Sequence, residues 1–140
     1  MDATVWTKAH GATTHFPIAL ALCSGVLDVT GFALAGRPMV RDLHAAGYWT
    51  MLGSAIGCVP AVFSGLLMTK GSVLGHGALR MHHLFVWAAF AAIVALATWR
   101  ALVGRRVPRR LLAAYLIAVI IAAGLVSSAG YWGGEMMMAR

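Results

Sequence analysis

LLAAYLIAVIIAAGLVSSAGYW, residues 111–132, holds 22 residues without one Asp, Glu, Lys, Arg or His. At a rise of ~1.5 Å per residue a helix of that length reaches ~33 Å, enough to cross a hydrocarbon core of ~30 Å. Three further stretches read the same way. Residues 43–69 carry no charge, and their one imidazole is His44. Residues 16–36 carry a single charge, Asp28. Residues 81–103 are uncharged up to Arg100, whose guanidinium is expected to snorkel to the interface. Four spans in 140 residues leave only short connections. The expected architecture is all-α, an integral membrane up-down four-helix bundle forming one domain over residues 1–140.

Composition agrees. The chain is 61% hydrophobic and only 11% charged, against about 25% charged in soluble domains. It is too apolar for disorder, and a globule this small could not hide so much hydrocarbon. The net charge of +7 would suggest nucleic acid in a soluble protein. Here the basic residues flank apolar stretches, so no nucleic-acid partner is expected. Cys23 and Cys58 both fall inside apolar segments and form no CxxC, which speaks against a disulfide framework or a thiolate zinc site.

The loops set the sidedness. Arg37 and Arg41 lie in the first connection, and Arg100, Arg105, Arg106, Arg109 and Arg110 in or beside the third. The opposite face has Lys8, Lys70, Arg80 and Arg140. The positive-inside tendency makes the Arg-rich loops cytoplasmic. Both termini then face the periplasm of a bacterial inner membrane. Ala33-Leu34-Ala35 matches a cleavage site, but Asp2 offsets Lys8 ahead of the span and basic residues follow it, so an uncleaved first span is expected. Two rows of small residues, Gly53, Gly57, Ala61 and Gly65 in the second span and Ala123, Ser127, Gly130 and Gly134 in the fourth, are expected at close helix contacts.

Six histidines are many for so small a membrane chain, because ionisable groups in the bilayer are costly and usually face a site. Five gather at one end. His10 and His15 open the first span, while His76, His82 and His83 open the third, which runs in the same direction. Matching depth pairs His15 with His83, or with His82 as its substitute. A more superficial pair, His10 with His76, would serve a second site. Opposed imidazoles across an apolar bundle suit the axial positions of haem b. With both axial positions filled, the chemistry is electron transfer. A copper or zinc site on the same histidines is the rival, with Met136, Met137 and Met138 as soft ligands. The plain alternative leaves the imidazoles among lipid headgroups. His44 has no histidine partner at its own end, so haem is expected only on the periplasmic side. Electrons would then pass between a membrane quinone and a periplasmic partner. Asp28, with His44 near it in depth, is a candidate for quinone-linked protons, or else a carboxyl buried against Thr30 or a neighbouring helix.

The string His10-Gly-Ala-Thr-Thr-His15-Phe-Pro-Ile-Ala-Leu20 resembles the opening of a bacterial membrane family catalogued as domain of unknown function 2231. Its members typically begin HPxxxHFPIAL, open a third span with histidine and end a fourth with Gly-Gly. His82 or His83 and Gly133-Gly134 match those positions, while Gly11 replaces the usual proline. The resemblance covers nearly the whole chain and implies a four-helix fold in which His10 and His15 matter. Relatives that accompany cytochromes or periplasmic dehydrogenases agree with a redox reading. The resulting expectation is a non-catalytic haem b subunit working between a periplasmic dehydrogenase or cytochrome c subunit and the quinone pool. No nucleotide, flavin or nucleophile motif is present. The alternatives are a copper- or zinc-binding membrane protein and a non-redox anchor or assembly subunit, either alone or as an oligomer.

Overall fold

The computed structural model describes residues 3–105 and 107–138. Asp2, Arg106 and Arg140, used above for charge, lie outside the described residues, as does the side chain of Met137. Four helices follow one another: α1 (Ala3–Ala33), α2 (Val40–Met68), α3 (Gly77–Val103) and α4 (Arg109–Met138). Each is long and apolar enough to cross a membrane, and within each span only 22–28% of residues are buried by the rest of the chain. The remaining apolar surface is a lipid-facing one. The molecule is a multi-pass membrane protein.

The helices outrun the apolar stretches that announce them. α1 begins thirteen residues ahead of Phe16, and in its more polar first half threonine hydroxyls are satisfied by carbonyls of their own helix. Thr13 Oγ1 donates to Ala9 O (2.9 Å) and Thr14 Oγ1 to Gly11 O (3.2 Å). The ends are local. α2 closes at Lys70 and Gly71, both at positive φ (54° and 79°), with Gly71 N–H reaching back to Leu66 O. Gly104, φ 85°, stops α3 and returns its N–H to Arg100 O.

α1 packs on α2, α2 on α3, α3 on α4 and α4 back on α1. α1 and α3 are therefore diagonal. The core is apolar: Met51, Leu96, Ala97, Leu112, Tyr115, Val119 and Ala122 form one cluster, and Ala21, Cys58 and Ile93 a second. Cys23, by contrast, is exposed.

One small-residue row packs as expected. A Cβ on Gly53 would meet Leu20, on Gly57 Pro17, and on Gly65 the His10 ring. The other row does not. Ser127 and Gly130 are exposed, and around Gly130 and Gly134 nothing lies within 4 Å. α4 instead buries Leu112, Tyr115, Val119, Ala122 and Ala129, a row at three-, four- and seven-residue steps. A second expectation also fails. Arg100 does not snorkel but is 0% exposed.

Candidate functional site

Titratable side chains collect at the two ends of the bundle. At the histidine end, His10 points from α1 across to α2, where Nδ1 lies 3.0 Å from Ala61 O and 3.3 Å from Ser64 Oγ. Ser64 Oγ is in turn 3.1 Å from Thr13 Oγ1. From the diagonal helix α3, His82 Nδ1 lies 2.8 Å from Ala129 O of α4. A carbonyl oxygen only accepts, so both Nδ1 atoms carry the proton. In a neutral imidazole that leaves Nε2 with the lone pair. The backbone thus fixes tautomer and ring orientation together, the arrangement that metal-ligating histidines use.

Glycines make the space. A Cβ on Gly65 would stand 2.9 Å from His10 Cε1, and one on Gly133 would stand 3.3 Å from His82 Nδ1. His83 is buried beside His82, ring centroids 5.8 Å apart, and its Nδ1 is shielded from solvent with no hydrogen-bond partner.

The other candidates fall elsewhere. His15 is exposed on α1, away from this group, and His76 is exposed at the N-cap of α3. Among the described residues, no group of three or more His, Cys, Asp or Glu is placed to hold a metal ion.

At the arginine end a different cluster is fully enclosed. Asp28 Oδ1 accepts from His44 Nδ1 at 2.6 Å, and Arg100 Nη1 lies 3.4 Å from Asp28 Oδ2. Arg100 Nη2 donates to His44 O at 2.8 Å, and its guanidinium stands over the rings of Tyr115 (5.2 Å) and Tyr48 (5.9 Å). Ser24 Oγ donates to Gly47 O at 2.7 Å, so the 3.1 Å contact with Tyr115 must have the phenol as donor. Asp28, Ser24 and Arg100 are each 0% exposed. Gly47 and Gly31 supply the room, since a Cβ on either would come within 3.0 Å of Asp28 or His44. Asp28 binds neighbouring helices, and Thr30 turns back to Val26 O instead.

Sequence reasoning treated Arg100 as a loop charge and missed this pair, whose matching offsets are visible only once His10 and His82 are set level. Asp28 follows His10 by 18 residues, and Arg100 follows His82 by 18. On two parallel helices, equal offsets mean equal depth. The same offset separates the clusters by ~27 Å along the bundle, so Asp28 and His44 do not share a site with His10 and His82.

Residues 7–140 match the family described as predicted membrane protein, domain of unknown function 2231, and the chain belongs to that family. No curated protein and no solved structure matches it.

Proposed function

For a member of that family with its histidines so arranged, we propose a haem b-binding electron-transfer subunit of a membrane redox complex. One observation carries the reading. His10 and His82, on diagonal helices, each tie Nδ1–H to a backbone carbonyl of a neighbouring helix and keep Nε2 for a ligand. Haem iron takes imidazole nitrogen from both sides of a macrocycle, and diagonal helices approach a bundle axis from opposite sides. His10 and His82 are the axial pair this favours. His15, paired with His83 by depth alone, points outward. The orphaned, buried Nδ1 of His83 is a polar atom that still lacks a partner, beside the same group.

Haem, held by His10 and His82, would supply one-electron chemistry. The chain's own residues bind and orient it: Ala61 and Ala129 hold the ligand tautomers, and Gly65 and Gly133 leave space for the rings. The electron route is lateral at the histidine end, between the quinone pool and a periplasmic dehydrogenase or cytochrome c subunit. On this reading the bundle sits in the bacterial inner membrane with both termini periplasmic.

The test is a reduced-minus-oxidised spectrum of the detergent-purified chain, with pyridine haemochrome quantification. A sharp low-spin b-type α band that His10→Ala and His82→Ala each abolish is the expected result. A colourless protein expressed with adequate haem would overturn the reading. Copper or zinc in stoichiometric amount would move the same two nitrogens to a metal-handling role.

A further inference from the structure

The seam between α1 and α4 is the loosest of the four in the bundle, and its features form a series. At the arginine end the Arg109 guanidinium stands 5.3 Å over the Phe32 ring. Further along, Gly25 brings the backbone of α1 against Val119. Beyond that contact an apolar cleft opens, with Ile18 and Leu22 of α1 on one wall, Ala123 and Ser127 of α4 on the other, and Met51 of α2 and Ile93 of α3 also lining it.

We infer that this seam is a binding site for one anionic phospholipid, its phosphate on Arg109 and an acyl chain along the seam with its end in the cleft. The inference is independent of the haem reading.

Length supports it. Arg109 and Ala123 are fourteen residues apart, a rise of ~21 Å. Half a bilayer with its headgroups is ~20 Å, so a lipid held at Arg109 has its chain terminus at the level of Ala123. Charge supports it too. Arg37, Arg41, Arg105, Arg109 and Arg110 are all exposed at this end. The one exposed carboxylate described there, Asp42, is taken by Arg41 at 3.8 Å. Arg109 makes no hydrogen bond or ion pair among the described residues. Phe32 covers one face of its guanidinium and leaves the N–H edge for phosphate oxygens, the bidentate geometry arginine favours. A zwitterionic headgroup would set its own cation against these arginines, so the site selects a net negative lipid such as phosphatidylglycerol.

Native mass spectrometry of the full chain in detergent tests this, with dioleoyl phosphatidylglycerol and dioleoyl phosphatidylcholine added in equal amounts. The expected result is preferential retention of phosphatidylglycerol by about fivefold, the worth of one guanidinium at an anionic surface. Arg109→Gln should bring the ratio near one, while Arg80→Gln at the opposite end leaves it unchanged. Ala123→Trp, which fills the cleft, should lower retention of both lipids. Should that variant not fold, as judged by helicity and a monodisperse elution, Ser127→Phe on the exposed rim replaces it. Equal retention by the parent chain overturns the proposal. So does a preference that survives Arg109→Gln, or retention that a filled cleft leaves unchanged.

Discussion

A histidine can serve as a ligand only when one nitrogen is free and the ring is held still. His82 satisfies both conditions through a single bond to Ala129 O, and Gly133 keeps that bond unobstructed. Gly133→Val would place branched carbons beyond a Cβ already 3.3 Å from Nδ1, so the ring must turn. Under the proposed haem reading, the α band should broaden or be lost while helicity stays intact, read by difference spectroscopy and circular dichroism. His15→Ala should leave the spectrum as it is, because that side chain points away from the cluster. The buried charges obey a different arithmetic. Asp28→Ala would leave Arg100, permanently charged and 0% exposed, without a counter-ion. Stranding one member of a buried pair costs about 3–5 kcal/mol. Unfolding midpoints in detergent should fall accordingly. Asp28→Asn combined with Arg100→Met should recover most of the loss, since no charge is then left buried alone. An additive double variant would show that the two do not act as a pair.

At the scale of the helix, the sequence announces existence better than orientation. Long uncharged runs give four spans directly, but α1 and α2 carry no one-sided apolar stripe, so periodicity does not say which face is inward. In water an apolar row marks the core. In a bilayer both faces are apolar, and only sterics and polar partners distinguish them. The α2 row of small residues packs because Leu20, Pro17 and His10 meet it, whereas Gly130 and Gly134 in α4 have the same look and open surroundings. His10 was legible as a candidate from type and depth. Its tautomer was not, because that depends on Ala61, 51 residues away. The pair formed by Asp28 and Arg100 was not readable, because setting His15 level with His83 leaves the two charges at different offsets and one charge at a span's end looks like an interfacial anchor. The contrast between glycines is measurable. Gly47→Val should destabilise by about 1–3 kcal/mol, because a Cβ there is already 2.9 Å from the enclosed Asp28 carboxylate. Gly130→Val meets open space and should stay within about 0.5 kcal/mol. Equal losses for the two would mean that α4 is covered by something other than lipid.

Across the whole molecule, enclosing Arg100 changes the charge count that orients it. As a loop residue it added to the arginine end, but as a paired, buried residue it contributes nothing to the interface. What remains exposed there is Arg37, Arg41, Arg105, Arg109 and Arg110, against Lys8, Lys70 and Arg80 at the histidine end. Among the described residues the bias survives, five against three, and the positive-inside tendency still favours the arginine end as the inner one. Two of those arginines are anchored at the rim, Arg105 over Trp49 and Arg109 over Phe32, each 5.3 Å from the ring centroid. Aromatic rings at that level belong to the membrane interface, so the cations beside them sit where orientation is decided. A periplasm-dependent phosphatase fused after the last residue should therefore be active, and a cytoplasm-dependent fluorophore at the same place dark. The opposite pattern would put the histidines on the cytoplasmic side and remove the periplasmic partner from the proposed route. Replacing Arg37, Arg41 and Arg105 by Gln leaves Arg106, Arg109 and Arg110 in or beside the loops of that end against Lys8, Lys70, Arg80 and Arg140 at the other. If loop charge governs insertion, this variant should give a mixed or inverted population. A variant that keeps the parent orientation would mean that the buried pair of Asp28 and Arg100, not the loops, decides which way the bundle enters the membrane.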